Sequence, residues 1–229
     1  MSNPPIDTLF RHTTGADAIR PVPAVRRPAE EPSIASAAPV RTTGTRTRAG
    51  NAMSRTRTAL LTGAAQAVTT SGTRIAMAQV AIAAGVAKAT LYNHFRTREA
   101  VLSALVVHQV GALVEAAADK PLERALADTA ISISRNPVRQ GLAAVEPAAL
   151  ARLGRIDDTC EAWQLAKSAV SAHLAHNGRG GADTVLRWLG SFLLSPSTPD
   201  AIAADVVILV AGLPALPDAA PAPSDARSA

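Results

Sequence analysis

The sequence predicts an all-α protein. Alanine dominates the composition, and alanine loses less than any other residue on entering a helix. Long alanine–leucine stretches lie between glycine, proline and asparagine punctuation. No stretch alternates apolar and polar residues for long enough to read as a strand. At 229 residues the chain can hold one large domain or two small ones.

Residues 1–52 are rich in Pro, Ala, Thr, Ser and Arg, show no apolar periodicity, and read as a disordered basic extension. Met53, at the edge of the expected folded part, could serve as an alternative translation start. If translation begins at Met1, the arginines from Arg41 to Arg57 form a flexible basic arm.

The first helix is expected over about 56–70, with Leu60, Leu61, Ala64, Ala65 and Val68 at helical spacing, stopping at Ser71-Gly72. A second, about 77–84, presents Val80, Ala81 and Ala84, and Gly85 permits the turn that follows. A third, short helix covers about 88–94. The fourth starts near Thr97, a good N-cap, and runs to about Ala118, with Glu99 in the first turn where the helix dipole favours it. Beyond Pro121 helices are expected at about 121–134, 137–153 (broken or bent near Pro147), 157–176, 182–194 and 199–212. Asn136-Pro137, Asn177 to Gly181 and Ser195-Pro196 separate them. The Pro/Ala-rich tail, 214–229, reads as disordered.

Charge is unevenly placed. Residues 1–57 hold nine arginines and four acids, whereas residues 58–229 hold fourteen of each sign. From Pro32 to Arg98 there is no Asp or Glu, but Arg41, Arg46, Arg48, Arg55, Arg57, Arg74, Lys88, Arg96 and Arg98 all fall there. A long mixed sequence of one charge sign points to a polyanionic partner. A solvated basic tail explains the first five cations, but the last four, Arg74, Lys88, Arg96 and Arg98, lie within the sequence expected to fold.

Two short helices joined by a glycine turn make a helix-turn-helix. With about 100° per residue, Phe95 lies within roughly 40° of Leu91, and both point inward. Ala89 and Asn93 lie roughly 160° from Leu91 and point outward, flanked by Tyr92 on one side and Thr90 and His94 on the other. A small residue such as Ala89 lets a helix approach base edges, which Asn93 and Lys88 can reach or whose phosphates they can meet. Thr90, Tyr92 and His94 offer hydrogen bonds to phosphates, and Arg98 a charge at the start of the next helix. Alternatively, Tyr92 packs half-buried and His94 ends a short helix.

The run Val80-Ala81-x-x-Ala84-Gly85-Val86, then Lys88-x-Thr90-Leu91-Tyr92-x-His94-Phe95, then Arg98-Glu99 resembles the N-terminal DNA-binding region of the TetR family of bacterial one-component regulators. The resemblance spans roughly residues 56–105. It departs at Ile75-Ala76 and at Ala87, where the family commonly carries a hydroxyl residue; losing such a cap costs about 0.5–2 kcal/mol.

The resemblance implies a helix-turn-helix DNA-binding domain over 53–99 and a helical effector-binding and dimerisation domain over 100–213. It implies a homodimer, in all likeness to the family a repressor, that reads a double-stranded pseudo-palindromic DNA operator and is released by a small-molecule effector. Lys88, Ala89, Thr90, Tyr92, Asn93, His94 and Arg98 would face DNA. Trp163, His173, Trp188 and Phe192, with Leu165 and His176, are candidates to line the effector pocket. The apolar helices 182–194 and 199–212 must be covered, either by twofold mates in a four-helix interface or within one subunit.

His173 and His176 form H-x-x-H without an evident third ligand, so no metal is expected, and no cofactor. No G-x-S-x-G, H-E-x-x-H, paired-cysteine motif or phosphate loop appears, so no catalysis is expected. The lone Cys160 excludes an internal disulfide and fits a reducing cytosol. No signal-peptide-like run opens the chain, and the apolar segment Ala201 to Leu213 is short and carries Asp205, so a cytoplasmic protein with no membrane partner is expected. The alternative to a regulator is a helical interaction protein whose basic arm binds nucleic acid non-specifically.

Overall fold

The computed structural model describes residues 44–216, with side chains from Ala52 onward. The expected disordered extension up to residue 43, including Arg41, and the tail beyond residue 216 lie outside the described residues. Among those described, ten helices account for the architecture, and the only β feature is a single bridge between Arg179 and Ala215. The protein is all-α.

α1 (Gly44–Ser71), α2 (Met77–Ala83), α3 (Lys88–His94) and the first half of α4 (Arg98–Ala117) form the N-terminal domain. α1 starts at Gly44, well before the expected start near Thr56, so the last residues of the expected extension are helical. Residues 52–55 are exposed, so no burial pattern marks this turn in the sequence. Extending a helix already nucleated costs little, since each added residue brings a hydrogen bond. Met53 accordingly lies inside α1, with its side chain in solvent.

The domain closes around a core that continues beyond it into Val138, Leu142, Ala149 and Leu150. Leu60, Leu61, Ala64 and Val68 of α1 pack with Val80 and Ala81 of α2, Leu91 and Phe95 of the α3 region, and Val101, Leu102 and Leu105 of α4. Gly63 lets α1 touch α2: a Cβ there would sit 2.6 Å from the Ala84 backbone nitrogen. The turn after α2 is a Schellman cap. Gly85, at φ +66°, donates to the Ile82 carbonyl, and Val86 donates to that of Ala81, each at 3.0 Å. Val86 then folds back onto the core, which aims α3.

The larger domain contains the rest of α4, α5 (Leu122–Arg135), α6 (Pro137–Val145), α7 (Pro147–Leu153), α8 (Glu161–His176), α9 (Ala182–Leu194) and α10 (Pro199–Gly212). The helix expected over 137–153 is divided by Pro147 into α6 and α7, with Glu146 at the corner in a non-helical conformation. A second core joins Leu122, Leu126 and Ala130 of α5, Leu174 of α8, Val185, Leu189 and Phe192 of α9, and Ile202, Val206 and Val210 of α10. α4 is long and apolar enough to cross a membrane by length and composition. Here it packs against α1, α5 and α8.

The two domains meet where α6 lies on α1. Gly141 sits against the backbone of Thr69 so closely that a Cβ would overlap it. At the corner, one Glu146 carboxylate oxygen accepts from the Thr73 backbone N–H at 2.8 Å and from the Thr73 hydroxyl at 2.7 Å. Burial pushes the Glu146 carboxyl up, but the Thr73 hydrogen bonds and the nearby Arg152 and Arg74 charges bring it, on balance, below the usual glutamate value.

Gly63→Ala should therefore destabilise the fold by about 1–3 kcal/mol in urea unfolding, the cost of overpacking. Gly111→Ala, in the interior of α4 with open space around its Cβ position, should stabilise it by about 0.5–1 kcal/mol. Glu146→Gln should cost about 1 kcal/mol near neutral pH, the loss of a charge-assisted hydrogen bond. Because the folded-state pKa of Glu146 is depressed, its contribution is complete above the unfolded value and disappears as pH falls through the folded one. The gap between wild type and Glu146→Gln should close on acidification, as read from unfolding midpoints at a series of pH values.

Candidate functional site

The outer face of α3 is built on two buried anchors. Leu91 and Phe95 sink into the core, so Lys88, Ala89, Tyr92 and Asn93 are held outward and exposed. Tyr92 is 43% exposed, which makes it a surface residue. The Lys88 ammonium lies 6.0 Å from the Tyr92 ring centroid one helical turn away. Thr90 and His94 are partly buried along the flank of the same helix.

Arg98 stands apart. Its Nη2 and Nε donate to the Glu99 carboxylate at 3.0 and 3.2 Å, so this cation already has a partner beside it. The Glu99 carboxyl is pushed up by burial but held lower overall by its own backbone N–H and by Arg98. Thr97 caps α4 as its residue type predicts, accepting from the Ala100 N–H at 3.1 Å.

The departures at the other two helix starts are visible in the structure. Ala76 begins α2 with no side-chain cap, although the Gln79 side chain accepts from the Ala76 N–H at 2.9 Å. Ala87 begins α3 with extended backbone and no side-chain cap at all.

One contact near this face has no signal in the sequence. The Arg57 guanidinium of α1 lies 4.7 Å over the Phe95 ring, a cation–π contact across elements. Only the fold places α1 above that ring.

A cavity of about 700 Å³ opens between α4, α5, α6, α7, α8 and α9, and Val68 of α1 and Thr73 also line it. Trp163 and His173 of α8 line it, as does His176. Trp188 and Phe192 do not reach its wall: they stack edge to face at 4.9 Å and pack into the core shared with α10. Leu165 is also outside the lining. Two polar side chains stand out among the lining residues that sequence reasoning missed. Gln109 comes from α4, and Arg139 comes from α6, where it is 9% exposed. Arg139 donates through Nε to the Ser134 carbonyl at 3.2 Å and through Nη1 to the Leu193 carbonyl at 3.4 Å.

Among the described residues no group of three His, Cys, Asp or Glu side chains is placed to hold a metal ion. Cys160 is partly buried and lines the cavity near the start of α8.

Residues 60–105 match the family model of bacterial regulatory proteins, tetR family. The matched segment spans the core half of α1, the whole of α2 and α3, and the start of α4. Among solved structures, the chain is similar to the TetR family repressor AlkX from Dietzia sp. strain DQ12-45-1b, implicated in biodegradation of n-alkanes. Identity is 22%, coverage is 68% of this chain and 92% of that one, and the TM-score is 0.50. It is also similar to a gamma-butyrolactone receptor, an ArpA-like protein, at 18% identity, 71% and 89% coverage and a TM-score of 0.40. No curated protein sequence matches the chain. The N-terminal domain is thus a tetR-type helix-turn-helix domain, set on an all-helical C-terminal region.

The uncapped start of α3 has a direct test. Ala87→Ser should give α3 a side-chain acceptor for its free N–H groups and stabilise the protein by about 1 kcal/mol in denaturant unfolding.

Proposed function

We propose that the chain is a homodimeric transcriptional repressor that reads a pseudo-palindromic operator and leaves it when a small molecule fills the cavity of the larger domain. The observation that carries this reading is the α3 face. Lys88, Ala89, Tyr92 and Asn93 project together from a helix whose opposite side is locked into a core. Lys88 and Asn93 would contact bases or phosphates, Ala89 would allow close approach in the major groove, and Tyr92, with Thr90 and His94 at the flank, would hold phosphates. Arg98 would have to share its guanidinium between Glu99 and a phosphate.

Support for a dimer comes from α10. Its inward residues Ile202, Val206 and Val210 are buried, yet Val207 at 66% and Ile208 at 73% exposure face outward. α9 contributes less than its composition promises, since Val185, Leu186, Leu189 and Phe192 are covered within the subunit. A twofold contact through α10 would cover the remaining apolar side chains and place two α3 helices on half-sites about 34–36 Å apart.

Support for effector release comes from the position of the cavity. Its wall includes Val68 and Thr73 of the N-terminal domain, and Leu142 of α6, next to the Gly141 contact. A molecule there would touch residues on both sides of the domain joint. It would favour whichever arrangement it binds more tightly, which is the requirement for a ligand-driven shift. A regulator of this kind acts in the cytoplasm.

Footprinting on the DNA flanking the gene should reveal one protected, pseudo-palindromic site; protection without a defined boundary would indicate non-specific binding by the basic segment instead. Lys88→Ala should weaken operator binding and reduce the slope of log affinity against log salt by about one. Tyr92→Phe should weaken binding with the slope unchanged, because a hydrogen bond and no charge is lost. Ile208→Asp should convert the dimer to a monomer in light scattering.

A further inference from the structure

The cavity wall is apolar along most of its length, through Val110 and Leu113 of α4, Leu126 of α5, Val170 of α8, and Leu186 and Leu189 of α9. Polar side chains interrupt it, among them Gln109, Asp119, Thr129 and His176. Two others, Arg139 and His173, differ in how much bonding capacity remains.

Arg139 is largely engaged. The two carbonyls it bonds, Ser134 and Leu193, lie in the last turns of α5 and α9. Carbonyls at helix C-termini carry the negative end of the helix dipole, so the protein itself meets the guanidinium charge. His173 is different. Its Nε2 is buried and has no hydrogen-bond partner among the described residues. On α8 the adjacent lining residues Ala169, Val170 and Ala172 offer no polar side chain, and His176, one turn on, is the next that does.

The two groups also lie at opposite ends. The tip of Trp163 lies 3.3 Å from the Cβ position of Gly190, so the start of α8 runs beside the end of α9. Arg139 reaches that same end at Leu193. His173 is ten residues further along α8 than Trp163, about 15 Å away at the rise of an α-helix.

We infer that the effector is an uncharged, largely apolar molecule that carries one hydroxyl or similar group, hydrogen-bonded by His173 Nε2. This rests on the effector-release reading above and adds the chemical class of the ligand. A hydroxyl both donates and accepts, so it pairs with Nε2 in either tautomer. A carboxylate fits less well: a buried charge needs a free counter-charge, and the cation in this wall is held by two helix ends.

Octanol, octane and octanoate are suitable probes, titrated against the full chain with tryptophan emission as the signal, since Trp163 lines the cavity. In the wild type octanol should bind at least as tightly as octane. His173→Leu should weaken octanol relative to octane by about tenfold or more, because the hydroxyl is left buried without a partner. An unchanged octanol-to-octane ratio in His173→Leu overturns the role of His173. Should that variant not fold, the wild type decides alone: octane binding tenfold tighter than octanol means that no partner waits for the hydroxyl. Octanoate binding more tightly than octanol overturns the uncharged class. If no probe binds, the cavity is not an effector site for apolar molecules, and the release half of the proposed function falls with the inference.

Discussion

The backbone-to-backbone approach of α6 to α1 is the contact on which the arrangement of the two domains depends. Gly141 presents no side chain, so α6 can lie directly on the Thr69 peptide. That closeness sets the height of the α6–α7 corner above the end of α1. From there Glu146 reaches both hydrogen-bond donors of Thr73. The position of α3 follows through the core that α1, α2 and α3 share. A change in the tilt of α6 would therefore be transmitted through rigid packing. Interiors packed at crystal density leave little slack to absorb it.

A chain this poor in polar side chains satisfies its helix ends by unusual means. Glycine does much of it. Gly85 after α2 and Gly178 after α8 each close a helix with paired backbone hydrogen bonds. Polar side chains close other ends: Thr97 and Thr198 cap α4 and α10. Asn136 caps α6 through its side chain, and Arg139, one turn on, bonds carbonyls in the last turns of α5 and α9. The same arginine thus joins three helices around one end of the cavity. Removing it would leave the terminal carbonyls of two helices without a partner, so its role in the fold precedes any role toward a ligand.

Much of this was legible in the sequence, and the exceptions have a common cause. The helical period placed Leu91 and Phe95 inside and Ala89 and Asn93 outside because a short amphipathic helix has only one face to bury. Pro147 and Gly85 marked a break and a turn because their backbones permit little else or much more than other residues. The cavity wall was harder to read. Trp188 and Phe192 look like pocket residues by type, but α9 turns them toward α10. Arg139 and Gln109 look like surface residues by type, yet they face inward. Alanine-rich helices have nearly uniform surfaces, so sequence says little about which way each helix is rotated against its neighbours. The start of α1 was missed for a related reason: a helix turn that buries nothing leaves no periodic mark.

The distribution of acids has a consequence for how such a domain would travel. Between Ala52 and Val114 the only carboxylate is Glu99, and its charge is taken up by Arg98. Arg55, Arg57, Arg74, Lys88 and Arg96 remain within that interval, so the domain carries a field of one sign. Such a field attracts any duplex, whatever its sequence, over roughly 10 Å at moderate salt. Capture would thus precede recognition: the protein would dwell loosely on arbitrary DNA and scan it by sliding and short hops, and the time needed to find a target would lengthen as ionic strength rises.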